Sequence, residues 1–188
     1  MWKTLYSRMN YENALAVRLS LETGMRIGDA VALPKSALNG RRVAFRAQKT
    51  GKAAEVEISA DLARRLSTIS GDRWIFTGRD SQKHRTRQAV YKDLRTVAVQ
   101  YGLVEHISPH SARKTYAVGV YHSDGLKACQ QRLQHDREAT TLIYALADKI
   151  TAERLPVATL ENDDLVDRVA SKVVEGLKKI FSEYSESS

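Results

Sequence analysis

Two short runs constrain the fold more than anything else in the chain. RVAFRA (42–47) and AEVEIS (54–59) alternate apolar and polar residues with period two, and the six residues QKTGKA separate them. Period two sends successive side chains to opposite faces of a strand, and so short a polar link reads as the turn of an antiparallel hairpin. Opposite charges on the polar faces, Arg42 and Arg46 against Glu55 and Glu57, support the pairing. WIFTG (74–78) reads as a third strand.

The pattern around this hairpin is helical. Asn10 to Thr23 forms a helix with Asn10 as its N-cap, Leu15, Ala16 and Leu19 on the apolar face, and Gly24 in the left-handed closing position. TGMRIGDAVAL turns the chain into a second short helix that stops before Pro34, and Asn39-Gly40 marks a turn. Further helices read over 60–69, 86–101, 109–122, 125–134 and 137–147, with breaks at Gly71, Gly102, Pro109 and Gly125. From 162 onward Leu165, Val169, Val173, Leu177, Ile180 and Tyr184 mark an amphipathic helix. The expected class is α+β, mainly α-helical: one domain over 1–160 with a small antiparallel sheet, followed by a helical tail over 161–188.

Composition narrows the function. The chain is 43% hydrophobic and 28% charged, which excludes wholesale disorder. One cysteine, Cys129, excludes an intramolecular disulfide and a CxxC metal site, and fits a reducing cytoplasm. No apolar run reaches bilayer length and the N-terminus lacks a signal-peptide core, so no membrane partner is expected. The formal net charge is +8, unevenly spread. From Glu161 on, seven acidic residues face four basic ones, which leaves +11 on the first 160 residues. A body this basic points to a polyanionic partner, most economically nucleic acid.

Five pieces carry candidate chemistry. TGMRIGD puts Arg26 just past a helix-ending glycine, with Asp29 three residues on, where it can hold the guanidinium. QKTGK puts Lys49 at the hairpin tip. PHSARKTYA places His110 and Arg113 three apart on one helical face. LQHDREATTLIY supplies His135 and, nine residues later, Tyr144. Singly, each has an ordinary reading as a surface ion pair, a solvated lysine, a packed histidine or a core tyrosine.

Taken in order, TG-x-R-x-x-D, the hairpin lysine, H-x-x-R-x-T and L-x-H-x(5)-T-x-x-Y resemble the catalytic domain of the tyrosine recombinases, the phage-integrase family, over about residues 10 to 150. The resemblance implies an integrase-like fold and an enzyme that breaks and rejoins DNA at specific sites through a 3′-phosphotyrosyl intermediate, as in integration, transposition or resolution by a phage or mobile element. It implies Arg26 and Arg113 as a clamp on the scissile phosphate, Tyr144 as nucleophile, His110 as its base or hydrogen-bond partner, and His135 as a phosphate donor. Lys49 matches the general acid, with Lys52 as the alternative. Arginines suit the clamp because they are permanently charged and bind phosphate oxygens bidentately. No acidic cluster suited to a divalent metal lies near these residues, so no cofactor is expected and cleavage should persist in chelator.

The same resemblance puts DSQKHRTRQAVYKDLR where the family meets DNA, with Lys83, His84, Arg85 and Arg87 as contacts and Arg41 and Arg42 as weaker candidates. It gives the tail two readings, exchange between protomers of a tetramer on DNA or packing in cis. The chain departs from the family at Gln134, commonly glycine, and at Ala112, commonly bulky and apolar. Only about ten residues precede the first helix, where relatives carry a separate DNA-binding domain; a catalytic fragment and a minimal member both fit. The other functions weighed are strand relaxation by a type IB topoisomerase and non-catalytic DNA-binding regulation.

Overall fold

The hub of the computed structural model is helix α2 (Tyr11–Thr23). Around it lie α1 (Trp2–Tyr6), α3 (Ile27–Val31), α4 (Ala60–Ile69), α5 (Arg87–Gln100) and α6 (Pro109–Leu133). The structure describes residues 2–102 and 107–133. The expected helix over 137–147, the tail from 161, His135 and Tyr144 lie outside the described residues.

Helix α2 starts and stops where expected. The Asn10 side chain accepts from the N–H groups of Glu12 and Asn13, and Gly24 closes the helix at φ 70°. Its burial goes beyond one apolar face. Ala14, Val17 and the polar Asn13, Ser20 and Thr23 are buried as well as Leu15, Ala16 and Leu19. The polar groups pay their way with bonds: Ser20 Oγ donates to Met25 O at 2.7 Å, Thr23 Oγ1 to Leu19 O at 2.7 Å, and Asn13 Nδ2 to Asp93 Oδ2 at 2.7 Å. Helix α1 was not anticipated. Leu5 on it is fully buried, so the residues before α2 belong to the core.

The hairpin forms as expected, with β2 (Arg42–Arg46) antiparallel to β3 (Ala53–Glu57) and Val43 opposite Val56. Its polar faces pair diagonally, Arg41 with Glu57 at 2.9 Å and Arg42 with Glu55 at 3.5 Å. The third strand is β1 (Leu38–Asn39), not residues 74–78. Ile75 and Phe76 are both fully buried, an arrangement a strand with one solvated face does not allow; Trp74 and Thr77 make only isolated bridges, to Pro34 and His84.

Helix α4 packs on α2 through Leu62, Ala63 and Leu66, and the Asp61 carboxylate gathers Arg18 at 2.7 Å, Arg64 at 2.7 Å and Arg65 at 2.9 Å. Helices expected separately over 109–122 and 125–134 run on as α6 with a break at Gly125, whose φ of 82° suits glycine. The break folds the last turns back: Cys129 Sγ donates to Ala117 O at 3.3 Å. Among the described residues no helix is long and apolar enough to cross a membrane.

Candidate active site

Four separate segments bring charged side chains to one cleft of about 620 Å³. Arg26 comes from the turn after α2, Lys49 from the hairpin tip, Arg87 from the start of α5, and His110 and Arg113 from the start of α6. Local sequence explains each placement. Gly24 reverses the chain so that Arg26, extended at φ −65° and ψ 139°, precedes α3 and leaves its side chain free of helical packing. Pro109 suits the first position of α6, where no N–H is needed. Ser111 Oγ accepts from the Ser108 N–H at 3.1 Å, which closes the start of the helix.

Arg113 is 4% exposed and its charge is held by backbone dipoles. Nη1 donates to Gly24 O at 2.5 Å and Nη2 to Leu133 O at 2.7 Å. One guanidinium therefore joins the turn before Arg26, the face of α6 and the chain two residues ahead of His135. A buried guanidinium fixed this way needs no reorganisation to meet an anion.

Asp29 does something other than expected. The residue is 7% exposed, and among the described residues its carboxylate forms no ion pair with Arg26; Oδ1 accepts instead from the Gln48 N–H at 3.0 Å. The bond ties the hairpin to α3. The tip closes by Ala47 N to Lys52 O at 2.9 Å and Gly51 N to Ala47 O at 2.8 Å, with Gly51 at φ 67°. Of the two candidate lysines, Lys49 lines the cleft and Lys52 does not.

His110 is exposed, yet its pKa lies below the ordinary imidazole value. Desolvation by the cleft wall comes first, and repulsion from Lys114, Arg113 and Arg26 adds to it. The shift favours the neutral ring, the form that can accept a proton. Among the described residues no group of three or more His, Cys, Asp or Glu stands close enough to hold a metal ion.

The other basic candidates divide. Arg87 lines the cleft. Arg85 turns inward to Asn13 Oδ1 at 3.0 Å and to Glu12. Arg41 and Arg42 pair across the sheet as above, and Lys83 lies 3.6 Å from Asp80. His84 packs edge-on against Trp74, with centroids 5.2 Å apart. Gln48, Gln88, Tyr91 and Ser108 line the cleft without having been singled out. The signal was there for two of them: Tyr91 follows Arg87 by four residues and Gln88 by three, spacings that set it beside both on an amphipathic helix.

The phage integrase family model matches residues 2–150. The tyrosine recombinase XerD of Rhizobium meliloti is 33% identical over 140 residues, which are 68% of this chain and 45% of that protein. The chain spans about half the length of the curated relatives it matches. Among solved structures, the XerA recombinase superposes with a TM-score of 0.64 at 22% identity, over 82% of this chain and 62% of that one. The Tn1549 transposon integrase in complex with circular intermediate DNA gives 0.60 at 15% identity, over 79% and 62%.

Proposed function

The chain belongs to the phage integrase family, the tyrosine recombinases, and from that premise we propose that it carries the catalytic machinery of a site-specific DNA recombinase. The observation that carries this reading is the convergence of Arg26, Lys49, His110 and Arg113, four family-matched residues from three distant stretches, on a single cleft. A phosphodiester gains negative charge on its non-bridging oxygens as a nucleophile approaches. Two guanidiniums fixed beside it stabilise that charge as an oxyanion hole does.

In the proposed reaction the Tyr144 phenol attacks the scissile phosphorus and gives its proton to neutral His110. The bond to the 5′-oxygen breaks, and Lys49 protonates that oxygen as it leaves. His135 donates to the phosphate. The products are a 3′-phosphotyrosyl bond and a free 5′-hydroxyl. The covalent link conserves the energy of the phosphodiester, so the 5′-hydroxyl of another strand reverses the attack without a nucleotide cofactor. Asp29 supports the reaction by holding the hairpin that presents Lys49.

The partner in this reading is double-stranded DNA, engaged by Arg87 at the cleft and, around it, by Arg41, Arg42, Lys83 and His84, while Arg85, turned inward to Glu12 and Asn13, braces the fold instead. The Tn1549 transposon integrase, which shares the fold, was captured with circular intermediate DNA. We read this chain likewise as a cytoplasmic recombinase of a phage or other mobile element. Its tail over 161–184 passes to a neighbouring protomer of a tetramer on DNA, and an unchanged oligomeric state after truncation at Leu160 counts against that.

The deciding experiment is incubation with nicked suicide substrates in EDTA, followed by mapping of the DNA-linked peptide. The expected adduct is on Tyr144, and Tyr144→Phe abolishes it while DNA affinity holds. An adduct that persists in the Phe variant moves the nucleophile elsewhere. Relaxation of supercoils without any joining of two matched sites makes the chain a topoisomerase instead.

A further inference from the structure

Tyr116 follows Arg113 by one helical turn on α6, and the cleft chemistry makes no use of it. Its ring presses against Gly24 so closely that a β-carbon there would lie 2.4 Å from Cδ1 and 2.6 Å from Cε1. Gly24 is also the residue whose carbonyl receives Arg113 Nη1 at 2.5 Å, and Arg26 follows it by two. On the second arm of α6, Arg132 Nη1 reaches Asp124 Oδ2 at 2.9 Å. Asp124 sits at the Gly125 break, so this pair ties the two arms of α6 together. Arg132, Arg26 and Arg113 line one narrow recess off the main cleft.

Two like charges that must grip one phosphate repel each other before it arrives, so something has to hold their carriers together. The Gly24–Tyr116 contact is where the two carriers meet. We infer that Tyr116 is a positioning residue: its ring, packed against Gly24, holds the turn that presents Arg26 against the helix that carries Arg113 and so sets the spacing of the two guanidiniums. The role deepens the recombinase reading and rests on it for its consequence in catalysis.

The test compares Tyr116→Phe, which keeps the ring, with Tyr116→Met, which fills the space with a flexible chain. Single-turnover cleavage is followed at saturating DNA, alongside DNA affinity and melting temperature. The Phe variant should stay within about threefold of wild type, since it keeps the ring that meets Gly24 and loses only the hydroxyl. The Met variant should lose on the order of 100-fold in rate, the effect of a misplacement near 1 Å, with affinity unchanged. On a substrate with a neutral methylphosphonate at the scissile position that loss should shrink to about tenfold or less, because less charge is left for the clamp to stabilise. Equal losses on both substrates overturn the proposal. Should Tyr116→Met not fold, Tyr116→His, with a smaller flat ring, carries the same comparison.

A second readout needs no catalysis. In a titration with inorganic phosphate, the side-chain Nε–Hε resonances of Arg26 and Arg113 should move with one midpoint in the wild type and with separate midpoints in Tyr116→Met. That pattern, in a wild type that forms no tyrosyl adduct, keeps the brace and removes the recombinase reading. A shared midpoint in both proteins, or no response to phosphate in the wild type, overturns the brace.

Discussion

Arg113 on α6 donates to the carbonyl of Gly24 at 2.5 Å, joining two motifs 89 residues apart in the chain. Gly24 holds its place through geometry as well as this bond, since it sits at φ 70° with the Tyr116 ring against its α-carbon. Gly24→Ala therefore meets two penalties. The left-handed backbone alone costs about 1–2 kcal/mol for a residue with a β-carbon, and the ring must also move. Urea denaturation should show a lower midpoint, and an unchanged midpoint would mean the turn relaxes freely.

The Arg26 side chain makes no hydrogen bond or ion pair among the described residues, so truncating it leaves no described partner behind; its carbonyl keeps the bond from the Ala30 N–H at 2.9 Å. Arg26→Ala should keep the melting temperature and lower the cleavage rate on the order of 100-fold, as the loss of one preorganised charge does. DNA affinity should fall far less. Equal losses in rate and affinity, measured on one suicide substrate, demote Arg26 to a binding residue.

The bond from Asp29 to the Gln48 N–H predicts a defect in leaving-group protonation. Asp29→Ala and Lys49→Ala should both slow cleavage of ordinary DNA. Both should recover on a substrate with a bridging 5′-sulfur, whose thiolate leaves without a proton. Lys52→Ala should cut both substrates like the wild type, since Lys52 does not line the cleft. If Lys52→Ala shows the sulfur rescue and Lys49→Ala does not, the two lysines exchange roles.

His110 predicts a pH signature. Its folded pKa is depressed by desolvation and then by Lys114, Arg113 and Arg26. Folding therefore favours the neutral ring. Stability is unaffected above the ordinary value near 6.5 and falls as the pH drops through it toward the depressed folded value, because the unfolded state binds the proton first. NMR titration should place the ring midpoint below the ordinary value, and Lys114→Ala should move it upward. A midpoint at or above the ordinary value contradicts a desolvated base.

Local signals were readable where the chain itself supplies the physics. Asn10 caps and Gly24 terminates α2 because side-chain oxygens and left-handed glycine act within a few residues. The hairpin was legible from period two. WIFTG misled because a short apolar run looks the same in a strand and in a buried loop; only its two adjacent buried side chains, Ile75 and Phe76, separate the two. Helix α1 has no signal of its own, since five residues hold a helix only by packing.

Residue order alone carries the chemistry: which residue types are present, in what order, and how capping, turn geometry and alternation cut the chain into elements. Those depend on interactions a few residues long. What each charge pairs with emerges only once the chain has folded. Folding turned Arg85 inward to Glu12, gave Asp29 to the Gln48 N–H instead of Arg26, and brought Arg26, Lys49, Arg87, His110 and Arg113 to one cleft. The reason is physical. A charge finds its partner by distance in space, and distance in space is set by how α2 is buried among its neighbours, which no local pattern encodes.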